Sequence, residues 1–257
     1  MIIQIYEIQT PYEAEALIEA GVDNIGSVIT SEKSLKQPLI KDTIDIVKKS
    51  TSMSSLIPLF SDLYSISQAL DYYKPDIIHF CEDLTKYLKD DSFLNMLINL
   101  QETIKIKFPE IKIMRSIPIS PPGVVKFISP VFFAKKFEHV SDFFLTDTII
   151  INDSNSASDA QPVNGFVGIT GLTCNWEEAR ILVDSVTIPV ILAGGLSPDN
   201  VFDGIINVKP AGVDSCTQTN ACDIYGKPVR FKKDLTKVKH FVKEAKKAEK
   251  HLKNDPG

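Results

Sequence analysis

PVILAGGLSPDNVFDGIINVKPAGVDSCT, running from Pro189 to Thr217, contains two buried-strand patterns, one helix pattern and two turns suited to an anion. Pro189 to Ala193 is a short apolar run of the kind that fills a parallel strand buried on both faces. Gly194 and Gly195 end it, and lacking Cβ atoms they let backbone N–H groups approach a ligand closely. Ser197-Pro198 reads as the N-cap and first-turn residue of a helix through Val208, whose N-terminus favours an anion. The next strand, Gly212 to Ser215, ends in Ser215, Cys216 and Thr217, which face the same point from the neighbouring position. In barrels of eight βα units the turns after strands seven and eight are the recurrent phosphate site. The stretch therefore predicts such a barrel, provided that six βα units precede it.

The upstream chain supplies them. Strand patterns fall at Ile2–Ile8, Val22–Ile29, Leu56–Phe60, Asp76–Phe80, Ile111–Ile117 and Asp142–Asp147. Helical periodicity separates them: from Pro11 to Ala20, about Lys41 to Lys49, Leu63 to Tyr73, and Val124 to Phe137. Asp83 to Phe108 is longer than one barrel helix needs, and Asp90-Asp91-Ser92 reads as a break between two helices. A closing helix, Lys233 to Leu252, carries an apolar face and a lysine-rich back. Strands alternating with helices define an α/β chain, a single (β/α)8 TIM barrel over residues 1–257, with an extended helical segment after strand four. A polar loop between Asp147 and Gly168, without periodicity, follows strand six and reads as an active-site cover or a mobile insertion.

Composition agrees with one barrel. A chain of 257 residues that is 44% hydrophobic buries a sizeable core. A formal charge of −5 with interspersed signs argues against nucleic-acid or membrane-surface binding. Four cysteines, at positions 81, 174, 216 and 222, form no CxxC pair and no zinc spacing, so neither a metal nor a cofactor is implied. The start, MIIQIYEI, enters a strand without a basic leader, and no apolar run reaches transmembrane length. A cytoplasmic location and a small anionic substrate are the resulting expectations; nothing in the sequence specifies the oligomeric state.

Three segments resemble the phosphoribosylanthranilate isomerases, barrel enzymes of tryptophan biosynthesis. Gly168-Ile169-Thr170-Gly171-Leu172-Thr173-Cys174-Asn175-Trp176 is similar to the family's G-G-T-G-K-T-F-D-W. Ala193-Gly194-Gly195-Leu196-Ser197-Pro198-Asp199-Asn200-Val201 is similar to S-G-G-L-N-P-E-N-V, and Val213-Asp214-Ser215-Cys216-Thr217 to the V-D-V-S-S turn. Lys233-Asp234 matches the pair that opens the last helix, while the N-terminal half matches by topology. The resemblance implies an Amadori rearrangement of a phosphorylated aldose-amine. That reaction needs an acid to open the furanose ring and a base to remove the C2 proton. It puts Asp147 in the acid's place and assigns phosphate contacts to Gly171, Gly194, Gly195, Ser215, Cys216 and Thr217.

The substrate side departs from the family. Its strand-one Cys aligns with Tyr6 and the following Gly with Glu7, so either residue is a candidate base. A phenol titrates at about 10, above a thiol, and strand alternation points Glu7 away from Tyr6. The arginine expected in the loop after strand two falls near Lys36 or Gln37, and Lys lacks the bidentate fork. Leu172 replaces a lysine. Arg115, in strand five, offers a cation to substrate if it points inward, or an internal salt bridge if it does not. His79 reads as a hydrogen-bonded core residue. Two expectations follow: an isomerase of phosphoribosylanthranilate or a related phosphosugar, or a barrel that keeps phosphate-ligand binding but has lost the isomerase base.

Overall fold

A computed structural model describes residues 1–85, 91–124, 129–150 and 161–254. The apolar, β-branched runs form eight parallel strands: β1 (Ile2–Ile5), β2 (Asn24–Ile29), β3 (Met53–Pro58), β4 (Ile77–Phe80), β5 (Lys112–Ile119), β6 (Phe143–Thr148), β7 (Val190–Leu192) and β8 (Gly212–Ser215). They hydrogen-bond in sequence order, and β8 returns to β1 to close the barrel. Between them lie α1 (Pro11–Ala20), α2 (Pro38–Lys48), α3 (Leu63–Tyr73), α4 (Asp91–Lys107), α5 (Pro130–Phe137), α6 (Trp176–Ser185) and α7 (Val201–Val208), and α8 (Leu235–Asn254) closes the chain.

Local chemistry sets the helix starts. Thr10, Asp62 and Asn175 cap α1, α3 and α6 through side-chain oxygens that accept first-turn N–H groups. The helices bury one face each against the outward side chains of the strands, as Leu17, Phe133, Phe137, Leu182, Ile205 and Phe241 do in a continuous apolar layer. A smaller cluster around Tyr6, Ile77, Met114, Leu145 and Ile191 fills the barrel itself. No helix among the described residues is long and apolar enough to cross a membrane.

Several boundaries differ from the sequence reading. Among the described residues the segment after β4 holds one helix, α4, beginning at Asp91 where the break was expected; residues 86–90 lie outside the described set, as do 125–128 and 151–160, the last covering much of the loop after β6. Ser197-Pro198 does not open α7. The Ser197 carbonyl accepts N–H groups of Asn200 and Val201, making a separate turn, so α7 starts three residues beyond Pro198 and its N-terminus is removed from the glycines. After β8 the chain adds an antiparallel hairpin, β9 (Asn220–Cys222) with β10 (Pro228–Lys233), which sequence periodicity does not signal.

Arg115 points out of the barrel, not into it. Its guanidinium is fully buried, pairs with Glu82, donates through Nε to Gln101 Oε1 at 2.7 Å, and lies 5.2 and 4.9 Å from the ring centres of Phe80 and Phe137. Alternation along β5 explains this: Arg115 shares its face with Ile113 and Ile117, which pack in the helical layer. Ser61 Oγ completes the set on Glu82 at 2.8 Å. A cation buried this way is structural. Arg115→Met is expected to cost about 3–5 kcal/mol by leaving Glu82 charged and unpaired in the core. Urea denaturation checks this; a loss below about 1 kcal/mol, the range of an exposed pair, shows the assignment wrong.

Candidate active site

The C-terminal ends of the strands surround a pocket lined by apolar side chains and a few polar groups. Its floor is Tyr6. The ring lies flat on β2 at Gly26, where any Cβ would sit 2.0 Å from the ring, and the hydroxyl contacts Ser55 Oγ at 2.6 Å and His79 Nδ1 at 2.8 Å. The other nitrogen of His79 meets Ser116 Oγ at 2.9 Å. Burial pushes the Tyr6 phenol well above its usual range and lowers His79 to about 3, with Arg115 adding to the latter effect. The floor is thus an uncharged hydrogen-bonded chain.

Two carboxyls face the pocket with raised affinity for protons. Asp147, at the end of β6, accepts the Thr148 N–H at 2.9 Å, yet desolvation raises it from 3.8 to about 7. Asp214, on β8, accepts from Gln4 Nε2 at 3.2 Å, and Gln4 in turn accepts from Asn24. Burial first, with the nearby Asp147 charge adding, brings Asp214 to about 8. Among the described lining residues none is Lys or Arg.

Glu7 also lines this pocket, while its carboxylate reaches the hairpin residues Arg230 and Asn220. Its φ is +66°, the left-handed region that costs a side-chain-bearing residue about 1–2 kcal/mol. That break in strand geometry is why Glu7 and Tyr6 both line the cavity when alternation would separate them. The Glu7 carboxylate, 1% exposed, is held by Arg230 of β10 at 2.6 Å and by Asn220 Nδ2 at 3.4 Å.

Gly171, Gly194, Gly195, Ser215, Cys216 and Thr217 line the same cavity. Gly195, with φ +60°, leaves room for the loop above it: a Cβ there would lie 2.4 Å from the Leu172 carbonyl carbon. Gln218 Nε2 donates to the Gly171 carbonyl at 2.9 Å, joining the turn after β8 to the segment before α6, and Lys233 Nζ donates to the Cys216 carbonyl at 2.8 Å, joining that turn to the hairpin. Nine of the eleven candidate residues line this one cavity, the candidate acid Asp147 and the candidate bases Tyr6 and Glu7 among them. Lys36 and Arg115 are elsewhere: Lys36 is exposed, with its ammonium 5.7 Å from the Tyr72 ring centre on α3. Sequence reasoning missed the roles of Asp214, Gln218 and the apolar wall of Val28, Ile57, Leu59 and Val167. Asp214 was legible by its two-residue offset from Cys216 on the inward face of β8.

No family model matches the chain. It is similar to N-(5'-phosphoribosyl)anthranilate isomerase 2 of Methanosarcina mazei, with 29% identity over 254 residues covering 96% of this chain and 94% of that one. The fold is that of the phosphoribosyl anthranilate isomerase from Thermotoga maritima, with a TM-score of 0.66 at 21% identity over 96% of this chain and 100% of the other. A phosphoribosyl anthranilate isomerase solved in complex with reduced 1-(o-carboxyphenylamino)-1-deoxyribulose 5-phosphate matches with a TM-score of 0.64 and 19% identity, over 96% and 100% of the two chains.

The raised carboxyls give the fold a distinct response to pH. Asp147 and Asp214 titrate near 7 and 8 when folded, against 3.8 for an unperturbed Asp. Between those limits the folded chain binds more protons than the unfolded one. The stability they contribute is complete below about pH 4 and is lost as pH rises through about 7 to 8. The urea midpoint is expected to fall between about pH 5 and about pH 9, and to fall less in Asp147→Asn and Asp214→Asn. Equal pH responses in wild type and both variants contradict the burial argument.

Proposed function

We propose that the chain, a relative of the phosphoribosylanthranilate isomerases along its whole length, is an Amadori-type isomerase. Its substrate is a phosphorylated ribosylamine, with phosphoribosylanthranilate as the first candidate. One observation carries the reading: a protonatable carboxyl, an ionisable carboxylate and an anion-suited pair of turns line the same cavity at the catalytic face of a barrel. The phosphate docks on the turns after β7 and β8, against Gly194, Gly195, Ser215, Cys216 and Thr217, with Gly171 opposite.

Asp147 gives its proton to the furanose ring oxygen, the C1–O bond breaks, and the nitrogen lone pair forms the C1–N double bond. Raised to about 7, its carboxyl keeps its proton much closer to neutral pH than an ordinary Asp does, as an acid for this step requires. Glu7 then takes the C2 proton, and the electrons of that C–H bond move toward the iminium nitrogen to give the enolamine, which tautomerises to the ketose-amine. Tyr6 is unsuited to the base role: its phenol is raised well above 10 and is already engaged by Ser55 and His79. It serves as the floor.

A second reading, a phosphate-ligand-binding barrel without the isomerase step, draws on the replaced thiol and on the lack of Lys or Arg among the described lining residues. Steady-state assays with phosphoribosylanthranilate separate the two. Glu7→Gln and Asp147→Asn are each expected to lower kcat by about 10²- to 10⁴-fold, the usual contribution of a general base or acid. Tyr6→Phe is expected to cost less than about tenfold. The wild-type kcat/KM should fall as pH rises through about 7, where Asp147 gives up its proton. Binding of a phosphorylated pentose without turnover at any pH selects the second reading.

A further inference from the structure

The hairpin after β8 has no part in closing the barrel, yet the described side-chain and backbone donors to Glu7 all come from it. Arg230 Nε and Nη2 both lie 2.6 Å from Glu7 Oε1, while Asn220 Nδ2 and the Phe231 N–H approach Oε2 at 3.4 and 3.5 Å. β10 is irregular between Pro228 and Lys233, and Phe231 adopts a left-handed φ of +61°. Such a bulge re-aims the side chains next to it, here toward the end of β1. Two left-handed non-glycine residues, Glu7 and Phe231, thus meet at a single ion pair. The Asp234 N–H donates to the Thr219 carbonyl at 3.0 Å and closes the base of the hairpin, and the Lys233 N–H donates to Glu13 Oε1 at 2.8 Å and anchors it to α1.

We propose that Arg230 is a positioning residue that aims Glu7 into the pocket for removal of the C2 proton, the hairpin being the part of this chain that makes a carboxylate usable at a position shaped for glycine. The inference rests on the isomerase reading above. A carboxylate that is 1% exposed requires a partner to stay charged, and the planar guanidinium fork holds one rotamer where an ammonium holds several. Lys233 is turned away, its ammonium on the Cys216 carbonyl and Asn220 Oδ1. The cation at Glu7 is therefore Arg230.

The test is steady-state kinetics with phosphoribosylanthranilate on wild type, Arg230→Met, Arg230→Lys, Glu7→Gln and the Glu7→Gln/Arg230→Met double variant. Misplacing a base by about 1 Å costs on the order of 10²-fold, so Arg230→Met is expected to lower kcat about 10- to 100-fold with KM changed less than about threefold. Arg230→Lys should recover part of that loss. With Glu7 already replaced, removing Arg230 should change kcat no further. Should Arg230→Met fail to fold, Arg230→Lys and the double variant carry the same comparison. A raised KM at unchanged kcat makes Arg230 a contact to the substrate and overturns the proposal, as do additive losses in the double variant or an unaffected Arg230→Met. An inactive wild type removes the isomerase reading itself and the proposal with it, which distinguishes that failure from the others.

Discussion

Hydrogen bonding between β1 and β8 is the constraint on which the site depends. Ile2, Ile3, Gln4 and Ile5 pair in register with Gly212, Val213, Asp214 and Ser215. Beyond the last pair the Tyr6 N–H still reaches the Ser215 carbonyl at 3.3 Å. This closure sets the first residues of the chain beside its last turns. Tyr6 and Glu7 consequently face the anion-side residues, and the hairpin that follows them can reach back to Glu7. Because each pair is a backbone contact, side-chain divergence at positions 6 and 7 leaves the geometry of the mouth intact.

The charges of the molecule are arranged around that mouth with an evident division. Its cations are engaged outside the cavity: Arg115 with Glu82 in the helical layer, Lys233 behind the turn after β8, Arg230 on Glu7. The cavity itself holds carboxyls whose burial raises their proton affinity. The polar groups that line this space beside the carboxyls include backbone and hydroxyl groups rather than side-chain cations, the kind of lining that can receive an anion where glycines permit close approach. Burial raises the proton affinity of both Asp147 and Asp214, which works against a build-up of negative charge in the pocket.

Much of this was legible in the sequence because strands of a parallel barrel are apolar on both faces and their ends carry function. The run Val190–Leu192, the paired glycines and Asp147 at the end of β6 are signals of that kind. What was not legible depends on direction rather than composition. Arg115 lies on a strand whose two faces are both buried, so alternation divides it from Met114 without saying which side faces helices. Glu7 defeats alternation outright, since a left-handed residue at the strand end re-aims its own side chain. The hairpin carries no apolar alternation, its strands being short and largely exposed, and the residue it contacts, Glu7, is more than two hundred positions away.

The floor of the cavity carries a further consequence. Ser55, Tyr6, His79 and Ser116 form an unbroken run of hydrogen bonds in which every member can either give or take a proton along the line. The imidazole has two neutral tautomers of opposite sense. Switching between them reverses every donor in the run, and with it the dipole of the barrel interior, while no heavy atom moves and no net charge appears. The buried interior thereby acquires the kind of orientational response that solvent provides, made from four hydroxyl and ring protons beneath the cavity.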